Sequence, residues 1–276
     1  MMSSLRVIAR EIRYFIWKVN GFIGWRAGSG IPQKTTILIT YYSPERMKHL
    51  DSQIRNILKC SFVDRVIVSN HNPDIRIEQV TTLRDKRVLF INQEKRHGCG
   101  YRWEVAAEFD PEYLIVIDDD ILLFPFQLAK LFKHLVEEPE IPHGLTGMLH
   151  LDKDRIEYYE RENMDVDYLC EIYAISRQNL RHYRKLERDI TKDANLSRLV
   201  ESSMDFMLIS QTGSYNPKIH NVGRIFRCPT FNQANIAVHK ADGFEENMAE
   251  VYRALTSTVL GVNEPALDVI PIENHS

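Results

Sequence analysis

Tyr113-Leu-Ile-Val-Ile117 is an apolar run that leads straight into three carboxylates, Asp118-Asp119-Asp120, and the chain turns apolar again at once as Ile121-Leu-Leu-Phe124. β-branched and aromatic residues in so short a run predict a strand buried on both faces of a parallel sheet. The acidic triplet then sits at the strand's C-terminal end, where open α/β sheets bind their ligands. Three adjacent carboxylates repel one another, and a divalent cation is the natural partner for them. A solvated acidic turn is the plain alternative, but apolar segments enclose the triplet on both sides.

The surrounding pattern alternates strand and helix. Strands are expected over 35–41, 64–70, 87–92 and 113–117, and helices over 45–59, 101–109 and 126–138. Asn72-Pro73 ends the second strand, and Pro125 suits the first turn of the helix it opens. Such alternation predicts an α/β fold with a Rossmann-like, doubly wound, mainly parallel sheet and helices on both faces. Residues 31–276 form this one domain.

Residues 1–30 read differently. Leu5, Ile8, Ile12, Phe15, Ile16, Val19 and Phe22 recur at helical spacing, with Arg6, Arg10, Arg13 and Lys18 largely between them. No apolar run approaches the length of a bilayer span, and the basic residues interrupt any signal-peptide core. A basic, aromatic amphipathic helix over 5–25 suits peripheral contact with an anionic membrane. Packing on the domain, or on a second subunit in a homo-oligomer, explains it equally. Gly28-Ser-Gly30 reads as a hinge.

A net charge of −3 gives no basic surface for nucleic acid. The four cysteines are far apart and form no CxxC pair, which argues against a zinc cluster and a disulfide framework and makes a reducing, cytoplasmic compartment the default. The turn after the first strand, Thr40-Tyr-Tyr-Ser-Pro-Glu45, lacks the glycines of a dinucleotide site, and no P-loop is present. The only clustered glycines in this half, Gly98 and Gly100, do not follow a strand directly. A pyrophosphate would therefore be held by a metal and basic side chains, the logic of a sugar-nucleotide enzyme.

Ile117-Asp-Asp-Asp-Ile121 resembles the DxD motif of GT-A glycosyltransferases. More closely, the chain resembles the exostosin-like family, whose members transfer N-acetylhexosamine from a UDP-sugar. Ile37-Leu-Ile-Thr-Tyr41, Val66-Ile-Val-Ser-Asn70, the segment 97–102, Gly144-Leu-Thr-Gly147 and Met204-Asp-Phe-Met-Leu-Ile209 follow in the expected order. The resemblance spans roughly residues 35 to 255. It implies a GT-A fold, a UDP-sugar donor, a glycan or lipid-linked acceptor and retention at the anomeric carbon. Asp120 would bind Mn²⁺ (or Mg²⁺), with Asp119 on the ribose and Asp118 in support. Arg102 matches a basic residue that helps hold the donor. Thr40 and Tyr41 match positions near the uracil, and Asn70 ends the second strand similarly. Asp205 matches an aspartate that faces the sugar and acceptor. Its lead-in is Ser-Ser-Met-Asp where the family has an Asn-Cys-Asp-Asp-like sequence, so the neighbouring acid is lost or its role is shared with Glu201. GT-A enzymes bring a C-terminal histidine or basic residue onto the pyrophosphate, a place for His239 at the metal and Lys240 at the phosphate.

Residues 144–180 would form the acceptor side, with 166–175 a buried strand and Tyr158, Tyr159 and Tyr173 available to stack on sugars. His71, His97 and His220 read as surface or loop residues. Two other readings stand beside the transferase. One is a nucleotidyltransferase that makes sugar nucleotides, for which the Gly-rich basic loop is missing. The other is a non-catalytic scaffold that keeps the fold.

Overall fold

The alternation of odd and even residues on two central strands shows how this sequence makes its core. Ile37, Ile39, Ile115 and Ile117 pack on one face of the sheet, while Leu38, Leu114 and Val116 pack on the other. Side chains on successive strand residues point to opposite faces, so a continuous apolar run fits only a sheet covered on both sides. The computed structural model describes residues 2–152, 155–228, 231, 240 and 242–259.

The strands are β1 (Thr35–Tyr41), β2 (Val63–Asn70), β3 (Val88–Asn92), β4 (Tyr113–Asp118), β5 (Ile121–Leu122), β6 (His143–Gly144), β7 (Thr146–Asp152), β8 (Arg155–Glu160), β9 (Met164–Asp165), β10 (Tyr168–Cys170), β11 (Ile172–Ser176), β12 (Lys218–Ile219) and β13 (Phe226–Arg227). The helices are α1 (Met2–Ile23), α2 (Pro44–Met47), α3 (Leu50–Ile57), α4 (Arg102–Phe109), α5 (Pro125–Glu137), α6 (Arg177–Ile190), α7 (Ala194–Leu199), α8 (Asp205–Ser210) and α9 (Phe244–Val259), with a π-helical turn over Val200–Met204. The main sheet runs β3-β2-β1-β4-β11-β6-β12-β9. Strands β1 to β4 are parallel to their neighbours among themselves, and β11 joins β4 antiparallel. The fold is the expected mainly parallel α/β sheet; beyond β4 it is mixed, with β11 antiparallel to β4 and β6, β12 parallel to β6, and β9 antiparallel to β12.

Two expectations are corrected. The helix over 45–59 is two pieces, α2 and α3, broken at Lys48 and His49. The strand over 166–175 is also two, β10 and β11, which belong to different sheets. Glu171 separates them with φ of 64°, a left-handed conformation uncommon outside glycine and asparagine. The chain swerves there, and the swerve places Glu171 at the mouth of the sheet, where its carbonyl accepts from the Asp118 N–H at 2.9 Å.

Helix α1 is docked on the body. Trp17 is fully buried, and its indole N–H donates to the Leu123 carbonyl at 2.9 Å. Asn20 donates to the Asn56 side chain at 2.7 Å, and Asn56 returns a bond to the Trp17 carbonyl at 3.0 Å. Among the described residues no helix is long and apolar enough to cross a membrane.

Candidate functional site

The register of β1 against β4 pairs Thr40 with Asp118, so the first strand ends beside the acidic triplet. From there two charged knots assemble. In one, the buried Arg102 at the start of α4 donates from Nη1 to Asp118 Oδ1 at 2.7 Å and from Nε to Asp205 Oδ2 at 2.7 Å. Trp103 Nε1 also donates to Asp205 Oδ2, at 2.7 Å. One guanidinium thus ties the end of β4 to the start of α8, and Arg102 reaches Asp205 across 103 residues of chain. In the other, Arg46 of α2 donates from Nη1 to Asp119 Oδ1 at 2.6 Å and lies 2.9 Å from Asp120 Oδ2 through Nη2. Both carboxylates are buried.

A third cluster forms the opposite wall. Glu171 takes a bidentate pair from Arg227, Nε to Oε1 at 2.8 Å and Nη2 to Oε2 at 2.8 Å. Thr146 and Tyr158 donate to the same Glu171 Oε2, each at 3.0 Å. Strand β13 carries Arg227 there by pairing with β5, Arg227 opposite Ile121, and Cys228 N–H donates to the Asp120 carbonyl at 2.8 Å.

Burial dominates the electrostatics. It lifts the Asp118 carboxyl to about 6, with Arg102 pulling the other way and Glu171, Asp119 and Asp205 adding repulsion. Burial, then the negative charge of Asp119, holds Asp120 well above the usual carboxylate range. Asp119 is raised for the same first reason, against the pull of Arg46. An acid whose folded value lies above its ordinary one favours the protonated fold, so its ionisation costs stability as pH rises through the folded value. Wild-type protein should therefore lose about 1 kcal/mol relative to Asp118→Asn between pH about 4 and about 7, the figure discounted for partial exposure. Urea unfolding at the two ends of that range measures it.

Beside Arg102 lies a patch of buried rings. His71 Nδ1 is 3.1 Å from the Gly98 carbonyl, and His97 stacks on Tyr101 with ring centroids 3.5 Å apart. Burial holds His71 down at about 4, so the ring is neutral. With Nδ1 donating to a carbonyl, its Nε2 is an acceptor. His71 Nε2, His97 Nδ1 and Asp205 Oδ1 are buried and find no hydrogen-bond partner among the described residues. His71, His97 and His220 lie in loops, as one half of the expectation had it, but not at the surface: His71 is 2% and His220 7% exposed, and the His97 side chain 5%. His220 instead meets His143 at 2.8 Å and stacks on His134, away from the acidic knots.

Gly98 and Gly100 have a steric purpose. A Cβ on Gly98 would lie 2.2 Å from the Glu201 carbonyl oxygen, and one on Gly100 2.5 Å from that of Val200. Their bareness lets the loop before α4 press against the π-helical turn and so fixes the distance from Arg102 to Asp205. Gly98→Ala should cost about 1–3 kcal/mol through overpacking, read by chemical denaturation.

Of the expected site residues, Asp118, Asp119, Asp120, Arg102 and Asp205 converge, with Thr40 alongside. Asp205 is fully buried and touches Arg102 and Trp103. Tyr41 is fully buried too, donating to Gln53 Oε1 at 2.5 Å, and Gln53 holds the Ile121 carbonyl at 2.9 Å. Asn70 organises its own turn through the carbonyls of Asn72 at 3.0 Å and Ile75 at 2.5 Å. Glu201 is exposed, 3.6 Å from His97. Lys240 is exposed, and His239 lies outside the described residues. Tyr173 sits beneath the Arg102 guanidinium at 4.8 Å and is buried, which removes it as a sugar platform. Arg46, Glu171, Arg227 and His71 are the members that sequence reasoning missed. The one signal for Arg46 is its place directly after the turn that follows the first strand.

The carboxylate oxygens of 118–120 suit a hard cation in kind. In arrangement they do not: Asp119 and Asp120 are both held by Arg46, Asp118 by Arg102. Among the described residues no group of three or more histidine, cysteine, aspartate or glutamate side chains is placed to hold a metal ion.

No family model matches the chain, and no curated protein matches it. Among solved structures it is similar to the crystal structure of GalNAc-T7 with UDP, GalNAc and Mn²⁺, with a TM-score of 0.54 and 10% identity over 80% of this chain and 48% of that one. The chain therefore spans about half the length of that structure. It also overlaps CMP:2-keto-3-deoxy-manno-octonic acid synthetase complexed with CTP, with a TM-score of 0.42 and 15% identity over 60% of this chain and 84% of that one, a likeness too low to carry an argument. At such identities the likeness establishes the GT-A-type fold.

Proposed function

We propose that the chain moves a sugar, an N-acetylhexosamine, from a UDP-sugar to a hydroxyl of a glycan or lipid-linked acceptor, in the manner of the exostosin-like glycosyltransferases it resembles. The observation that carries this reading is the Asp118–Arg102–Asp205 knot, assembled from three distant segments at the C-terminal end of a GT-A-type sheet. Beside it, His71 Nε2 and Asp205 Oδ1 are buried without a hydrogen-bond partner among the described residues, and because such atoms are costly to leave unpaired they support a polar ligand here. His71 Nε2 is an acceptor for an imide N–H or a ribose hydroxyl.

In transfer, the bond from the anomeric carbon to the phosphate oxygen breaks, a bond from that carbon to the acceptor oxygen forms, and the acceptor proton leaves. Asp118 is the group suited to take that proton: its side chain is 32% exposed, and its carboxyl titrates at about 6, close to the pH at which a general base works well. Asp205, completely buried, positions Arg102 instead. Negative charge grows on the departing diphosphate, and a preorganised cation beside it lowers the barrier. Arg46, Arg102 and Arg227 are cations placed at this mouth. The expected Mn²⁺ or Mg²⁺ does not fit Asp119 and Asp120 while Arg46 holds them.

The closure of Asp119 and Asp120 by Arg46 also favours one other reading, a non-catalytic scaffold on the same fold. Release of UDP from UDP-N-acetylhexosamines, with and without a sugar acceptor, separates the two. Turnover that falls in Asp118→Asn while UDP affinity holds supports the transferase. Absence of turnover across the UDP-sugars supports the scaffold.

A further inference from the structure

We infer that α1 docks this protein on an anionic lipid surface, through an apolar stripe ringed by cations. The helix is not adrift: Trp17 and Asn20 lock one side of it to α3 and to the segment after the acidic triplet. The opposite side faces outward and is apolar. Ile12, Phe15, Ile16, Phe22, Ile23 and Trp25 are exposed, Ile23 at 81% and Trp25 at 79%. A stripe of this size on the surface of a folded domain marks an interaction face.

The charge around the stripe identifies its partner. Among the described side chains of residues 6–26, Arg13, Lys18 and Arg26 are basic and Glu11 alone is acidic, in a chain whose net charge is −3. The fold adds cations from outside the helix. Arg55 of α3 lies 4.7 Å over the Phe22 ring, and Lys59 donates to the Phe22 carbonyl at 3.3 Å. Lys18 lies 4.7 Å over the Tyr14 ring, and Arg26 is exposed. An apolar stripe with aromatic residues inside a belt of Lys and Arg matches an interfacial helix that sinks its apolar side among acyl chains and sets its cations among acidic headgroups. In a two-fold dimer the stripe would face its own copy and the two cationic belts would repel each other.

The lipid contact stands apart from the transferase reading. If that reading holds as well, docking brings the acidic mouth near the lipid surface, since α1 packs on Leu123 and Arg13 reaches over the Phe226 ring of β13 at 5.9 Å.

The test is co-sedimentation of the full chain, without nucleotide, with vesicles of phosphatidylcholine alone and of phosphatidylcholine with phosphatidylserine, at low and high salt. Expected are binding to the anionic vesicles, its loss at high salt, and its loss in Phe15→Ser/Phe22→Ser/Trp25→Ser, whose changes are all at exposed positions. Arg26→Glu/Lys59→Glu should weaken binding by about tenfold or more with the apolar stripe intact, and circular dichroism confirms that both variants fold. Equal binding to neutral and anionic vesicles, no binding to either, or unchanged binding by the triple variant overturns the inference. So does a dimer in solution that the triple variant dissociates, which would assign the stripe to a second copy of the chain.

Discussion

Replacing Arg102 with methionine should destabilise the protein by about 3–5 kcal/mol and abolish binding of UDP, because removing one partner from a buried ion pair leaves the others as uncompensated charge. Asp205 has no solvent to turn to; it would keep the Trp103 indole alone. Asp118 would lose the guanidinium that counters its burial, and its carboxyl would titrate above about 6. The control is Arg102→Met/Asp205→Leu. Apolar replacement of a whole buried pair is often neutral, so the double variant should recover much of the stability lost by the single one without recovering UDP affinity. Urea midpoints give the first quantity and calorimetric titration the second. If the double variant is no more stable than Arg102→Met, the knot is not a coupled pair.

The second large effect belongs to Arg46. Arg46→Ala should cost about 3–5 kcal/mol near neutral pH, again through stranded charge, since Asp119 and Asp120 are buried and share that one guanidinium. The sign of its pH dependence follows from the same carboxyls. Both already sit above their ordinary values through burial, and losing Arg46 raises them further. A raised acid contributes stability while protonated and loses it as pH rises. The deficit relative to wild type should therefore shrink as pH falls from about 7 towards about 5. Mn²⁺ should raise the melting temperature of Arg46→Ala and leave that of wild type unchanged, because only the variant leaves two carboxylates free to hold an ion. A wild type stabilised by Mn²⁺ as strongly as the variant would mean that Arg46 gives way to metal readily.

Much of this architecture was legible in residues. The β-branched runs at 35–41 and 113–117 specify strands buried on both faces, and the structure has them there as β1 and β4. The acidic triplet at the end of one of these runs marks the mouth of the sheet, and Arg102 and Asp205 meet Asp118 there. What stayed hidden depends on tertiary geometry. Arg46 reads as one cation among several on the helix expected over 45–59 until α2 carries it over Asp119. Glu171 reads as a polar interruption in a strand until its left-handed backbone breaks 166–175 into two strands of different sheets. Arg227 arrives by a two-residue pairing with β5, too short to leave a pattern. Tyr41 and Asn70 look like ligand contacts at strand ends, but their side chains are spent on Gln53 and on a turn. Burial of His71 and His97 follows from packing between α4 and the loops after β2 and β3, which no local periodicity encodes.

The measurement that bears most directly on the account is calorimetric titration of UDP into the wild-type protein and into Arg102→Met, in Mn²⁺ and again in EDTA. Wild-type binding is expected in the micromolar range, on the order of −8 kcal/mol, retained in EDTA because Arg46 already holds Asp119 and Asp120, and lost in Arg102→Met. Absence of UDP binding to the wild type in both conditions would contradict the sugar-nucleotide site, and binding that requires Mn²⁺ would contradict the part assigned to Arg46.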